Sequence, residues 1–188
     1  MQPKPGFLGF PKPSPVSPIP GLVLLARGKV ANVASLDVVM TEFTAYKNKK
    51  LKVNSISPVT AGGANLAAFV SANGGASYDT GGGNYMYHEI TGSESSSVGH
   101  ASGTNSSIVL GSNVSAQGAS IELEMLDTPN AEVNPKFFAR VLYRDVSPNM
   151  ISKLYQVSRL AAQKTDAVQI AFSGTNIASG TWELYGYN

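Results

Sequence analysis

The sequence predicts an all-β fold, an antiparallel β-sandwich or barrel over residues 21–188, preceded by an extended proline-rich arm over residues 1–20. Three observations predict it. Segments alternating apolar and polar residues recur about every 8 to 15 residues with turn-forming breaks between them, as in sandwiches and barrels. Charged residues make up only 14% of the 188 residues, against about 25% in ordinary soluble domains, so the surface leans on Ser, Thr, Asn and Gly. Seven of the eleven prolines fall within residues 1–20, where they exclude helix and leave almost no room for a ladder strand.

The arm sets Phe7, Leu8 and Phe10 among prolines and glycines, with Val16 and Ile19 further on. A stiff, extended segment with free carbonyls and spaced apolar side chains offers anchors for a groove on another subunit. Beyond Gly21, strands are expected over 22–27 and 36–46, the second placing Val39, Thr41, Phe43 and Ala45 on one face. Lys47 to Lys50 reads as a polar turn, its lysines and Lys52 guarding strand ends against edge pairing. A strand over 51–56 leads to Pro58 and the pair Gly62-Gly63.

Residues 65–71 alternate, with Leu66, Ala68 and Val70 sharing a side, before Asn73-Gly74-Gly75 signals a hairpin turn. Gly81 to Gly83 forms a loop, 85–90 a strand, and the Ser- and Gly-rich stretch 91–107 an exposed loop. Further strands are expected over 108–110 and over 120–126, where Ile121, Leu123 and Met125 face inward and Glu122 and Glu124 outward. Another covers 137–144, with Phe137, Ala139, Val141 and Tyr143 buried. Residues 147–163 fit either a helix begun by Ser147 and Pro148 or a strand through Tyr155, Val157 and Arg159, and strand is the preferred reading. The last two segments, carrying Val168, Ile170 and Phe172 and then Trp182 and Leu184 inward, suggest a closing β-hairpin.

A formal charge of +2 gives no field that would gather nucleic acid or an acidic membrane, so no specific nucleic-acid partner is expected. No apolar run approaches the roughly 20 residues of a bilayer span, so no membrane insertion is expected. The prolines interrupt any secretory leader. With no cysteine, disulfides and thiolate metal sites are excluded and packing must hold the fold.

The run LAAFVSANGGASYDTGGGNYMYHEI over 66–90, with Ser71, Asn73, Gly74, Gly75, Tyr78 and Asp79, resembles a strand and turn of bacteriophage tail and fibre proteins. DAVQIAF over 166–172, NIASGT over 176–181 and the Leu-Tyr-Gly ending extend the resemblance over about residues 36–188. It implies a jelly-roll-like sandwich used non-enzymatically in a virion, commonly as a symmetric homo-oligomer, with a trimer favoured. The partners it implies are other virion proteins and a host cell-surface glycan. The sequence departs from that group in having the proline-rich arm in place of a long fibrous shaft, which points to a short protein that plugs into a larger assembly. Tail or fibre location, capsid decoration and head fibre all fit the resemblance.

No catalytic residues are assigned. His88 and His100, with Asp79, Glu89 and Ser95 to Ser97, lack the spacing of a nucleophilic triad, and no G-x-S-x-G elbow occurs. No metal site is expected, because two histidines twelve residues apart do not match ligand spacing. The 79–84 loop lacks the acidic series of a calcium loop, and Asp79 is expected to cap its own turn. Glu122 and Glu124 share a strand face that alternation already makes wet, which argues against a depolymerase. Gly81 to Gly83 is no phosphate loop, since no Lys-Ser/Thr follows, so no cofactor is expected. Tyr78, Tyr85, Tyr87, Tyr185 and Tyr187 lie beside Gly-rich or polar turns and are the candidate contacts for a neighbouring subunit or a glycan.

Overall fold

A computed structural model describes residues 21–60, 62–94 and 96–188, without the side chains of residues 96 and 97. The arm anchors Phe7, Leu8, Phe10, Val16 and Ile19, and Ser95, lie outside the described residues. The chain is all-β and every strand pairing is antiparallel. In order the strands are β1 (Val23–Val33), β2 (Ser35–Val39), β3 (Asn48–Pro58), β4 (Ala64–Ser71), β5 (Tyr85–Ser93), β6 (Ser96–Asn105), β7 (Ile108–Leu126), β8 (Lys136–Asp145), β9 (Met150–Arg159), β10 (Ala167–Phe172) and β11 (Ile177–Tyr187).

They form a two-layer sandwich. The large layer runs β1-β11-β3-β7-β8-β9-β5-β6, and the small layer β2-β10-β4 joins it through β7. The long strand β7 serves both: Ile108 to Val114 pairs with β4, and Ala119 to Leu126 pairs with β3 and β8. Between these halves Val114 and Ala119 face Asp145 and Tyr143, five positions on β7 against two on β8. The surplus is a bulge that bends the strand from one layer to the other. Gly118 makes it feasible. Its φ is +80°, and a Cβ there would sit 2.6 Å from the Ile56 carbonyl oxygen.

The core lies between the layers. Leu36, Val38, Met40, Leu66, Ala68, Val70, Val168, Ile170 and Phe172 of the small layer meet Leu51, Val53, Ile121, Leu123, Met125, Phe137, Val141 and Leu184 of the large one. Each such aliphatic or aromatic side chain taken from water contributes about 2 kcal/mol. The alternation read from residues 65–71, 120–126 and 137–144 is present as expected, and within the stretch 147–163 the strand is β9, Met150–Arg159.

Several local expectations are corrected. The first strand runs on to Val33. The second ends at Val39 because Met40 N–H turns to the Asp166 carbonyl and Phe43 N–H to Met40, and Leu36, Val38 and Met40 are its buried face while Val39 is 48% exposed. β3 starts inside the supposed lysine turn and lies between β11 and β7, so its lysines guard no edge. The stretch 91–107 is largely the strand β6, folded back on β5. As an edge strand exposed on both sides, it carries no apolar alternation to read. The turn at Asn73–Gly75 joins no hairpin, because β4 pairs with β10 and β7 while β5 pairs with β6 and β9.

The last two strands also fail to pair with each other. β10 lies between β2 and β4, β11 between β1 and β3, and the 173–176 connection crosses from one layer to the other. Trp182 is half-buried rather than fully in the core. It covers Gly28, where a Cβ would lie 2.8 Å from the indole Nε1.

Candidate functional site

The candidate tyrosines scatter. Tyr85 is wholly buried, its hydroxyl accepting from Val70 N–H at 3.0 Å, and burial pushes its pKa up to about 12. It is a core residue and not a surface contact. Tyr87 faces the interior half-buried, and Tyr78 bonds Asp37 at the end of the small layer. Tyr185 and Tyr187 do share the outer face of β11, where their hydroxyls donate to Glu183 at 2.6 Å and to Glu124. No common platform contains all five.

The drafted triad does not assemble either. β5 alternates, so His88 points outward and Glu89 inward. Asp79, expected to cap its turn, instead pairs with the buried guanidinium of Arg159. Arg159 also donates to Gln163 at 3.1 Å. Among the described residues no three His, Asp or Glu side chains converge as a metal-binding set.

The sheet brings together a different set. On the outer face of the large layer the cross-strand register forms two rows. One runs Lys50, Glu124, Phe138, Gln156, His88, Ser102, and the other Lys52, Glu122, Arg140, Leu154, Ile90, His100. Directly opposed residues in such rows touch. Over β8, β9 and β5 the rows enclose an open groove of about 660 Å³. Its apolar floor is exposed: Phe138 39%, Leu154 47% and Ile90 44%. Leu142 and Met86, each nearly half-exposed, lie on the same face outside the groove, Met86 set apart from Ile90 and Leu154 by the His88–Gln156 pair. Imidazole, amide, guanidinium and carboxylate groups stand along the groove's rim.

Ionic groups on the β3 side are satisfied within the sheet. Glu122 pairs with Lys50 at 3.4 Å and Lys52 at 3.7 Å. Lys49, just before them in sequence, points the other way and is buried. It donates to Thr128 Oγ1 at 2.5 Å and to the Tyr46 carbonyl at 3.1 Å, and burial pulls its pKa down to about 8.

Behind the groove, on the inner face of β5 and β9, lies a polar cluster. Glu89 and Tyr155 are cross-strand partners, as are Thr91 and Lys153. Lys153 Nζ sits 2.8 Å from Glu89 and 2.9 Å from the Tyr155 hydroxyl, and Thr91 also donates to Glu89. Burial pushes the Glu89 carboxyl up, but the bonds from Lys153, Thr91 and Tyr155 outweigh it and hold the pKa below the usual 4.5. The Tyr155 phenol is pushed up, by burial first and then by Glu89. The cluster borders a cavity of about 140 Å³ against the Ile108–Ser112 half of β7. Its groups bond one another, which makes it a structural ion pair in chemical terms.

The groove sets apolar side chains beside polar and charged ones on one open face of the sheet. Sequence reasoning missed it because its floor residues, Phe138, Leu154 and Ile90, belong to three strands, of which β5 lies far in the chain from the consecutive pair β8 and β9. The signal that was available is apolar residues at outward positions of strands whose inward positions carry Lys153 and Glu89. Comparison with protein-family models, with curated proteins and with solved structures finds no match for this chain.

Proposed function

We propose that the chain is a non-catalytic bacteriophage virion structural protein, a homo-oligomeric tail- or fibre-type component, trimeric by preference, that residues 1–20 anchor to a neighbouring virion protein. The observation that carries the contact-making part of this reading is the apolar set of Phe138, Leu154, Ile90, Met86 and Leu142, exposed on a packed sheet. Exposed apolar residues gathered on one sheet face mark a surface that meets another macromolecule. The low charge of the chain supports the same reading, and the motifs of residues 66–90 and 166–181 support the virion setting.

Deleting residues 1–20 tests the anchoring. The truncated chain is expected to be lost from purified particles, and normal occupancy would overturn the anchoring reading. A second reading, a module for a host-surface glycan, is favoured by the mixture of Phe138, His88, Gln156 and Arg140 along one groove, since sugars offer apolar faces and hydroxyls together. Host adsorption unchanged in a Phe138→Ala, Gln156→Ala variant would remove it.

A further inference from the structure

We infer that the outer-face groove is the seat of residues 1–20 of this chain. The inference does not depend on the virion setting, but it bears on the anchoring reading: an arm seated in the groove of an adjacent copy makes that copy the neighbour it holds, whereas an arm seated on its own molecule would replace the anchoring reading.

The groove has an unusual arrangement of polarity. On β9 the inward positions hold Lys153 and Arg159 and an outward one holds Leu154; on β5 the inward Glu89 lies between the outward His88 and Ile90. A strand normally exposes its charged residues and buries its aliphatic ones, so Leu154 and Ile90, 47% and 44% exposed, are placed for burial under something else. The candidate cover must be apolar at intervals, extended and close at hand.

Residues 1–20 meet each requirement. They carry Phe7, Leu8, Phe10, Val16 and Ile19, and their prolines favour polyproline II, a conformation that keeps carbonyls free for donors such as Gln156, Arg140 and the imidazoles. The same prolines remove the N–H groups needed to extend the free edge of β6, so the face of the sheet rather than its edge is the fitting seat. Lys4 and Lys12, with no acidic residue among residues 1–20, would meet Glu124, which accepts from the Tyr187 hydroxyl and makes no ion pair among the described residues, although Lys50 and Arg140 also line the groove.

Reach is sufficient. The segment ends at Gly21, and Leu24, 46% exposed, opposes Tyr185 at the start of the row that leads to Phe138. β9 lies five strand spacings from β1, about 24 Å at about 4.8 Å each. Phe10 is eleven residues from Gly21, about 34 Å as polyproline II. The groove of the same molecule is within range, and so is that of an adjacent copy.

The chain has no cysteine, so disulfide trapping in the full-length protein reads the contact directly. A Phe10→Cys, Leu154→Cys variant is oxidised mildly beside a Phe10→Cys, Val39→Cys control. Val39 is 48% exposed, like Leu154, but lies on the outer face of the small layer. Trapping in the groove pair at least about tenfold faster than in the control is expected, with intact mass showing whether the arm comes from the same molecule or from a second copy. Adding Ile90→Glu, an exposed-position change, should return the rate to that of the control. Equal rates in the two pairs, or a rate indifferent to Ile90→Glu, would overturn the inference. Because the purified chain is used, that failure would leave the virion reading untouched.

Discussion

Two regions of the large layer use the same two-residue alternation to opposite ends. In the centre, β3, β7 and β11 bury Leu51, Val53, Ile121, Leu123 and Leu184 and expose Lys50, Lys52, Glu122 and Glu183, which is the arrangement of a sheet with one wet face. On the flank, β5 and β9 bury the Glu89–Lys153–Tyr155 cluster and expose Ile90, Leu154 and Met86. The centre is finished as it stands. The flank has its polar groups satisfied inside and its apolar groups uncovered outside, which teaches that a strand's pattern says which residues share a face but not what that face will meet.

The largest effect that would sharpen this contrast comes from the flank's interior. Lys153→Met should cost about 3 kcal/mol or more in urea unfolding near neutral pH, because Glu89 stays buried without its cation. A loss no larger than that of an exposed lysine would break the distinction between the two regions.

The pH dependence comes next. Glu89 has a folded pKa below its usual 4.5, so the folded carboxyl binds fewer protons than the unfolded one. Its contribution is complete above pH 4.5 and is lost as pH falls through the folded pKa. The urea midpoint of the unmodified protein should therefore fall in that acid range. In Lys153→Met, where burial is opposed only by the Thr91 and Tyr155 hydroxyls, that acid loss should shrink. A midpoint profile identical in the two proteins would contradict the ion pair's role.

The smallest effect belongs to the centre. Glu122→Gln loosens Lys50 and Lys52 on a partly exposed face and should cost less than about 1 kcal/mol. The difference should vanish in about 1 M salt, where exposed charges are screened. A larger or salt-independent cost would place Glu122 among the buried pairs and erase the comparison from the other side.

Much of the fold was legible in the chain. Leu66, Ala68 and Val70, Ile121, Leu123 and Met125, and Phe137 to Tyr143 advertise their buried face by period alone. β6 was not legible, because Gly99, Ser102 and Gly103 at an open edge have neither a buried side nor a branched side chain to mark them. The site was the least legible part. Tyr85 and Tyr187 look alike in sequence, yet one is a core hydroxyl bonded to Val70 and the other lies on the outer face with Glu124.

The sequence by itself determined the all-β class, most strand positions, the inward and outward faces, and the absence of cysteine cross-links, since each follows from local spacing or from composition. Only the tertiary structure decided that the last two strands part into different layers, that β7 bends at Gly118 to join them, and that Phe138, Leu154 and Ile90 meet in one groove. These outcomes depend on which strand lies beside which, and that choice is made by the summed burial of whole faces, to which no single segment holds the answer.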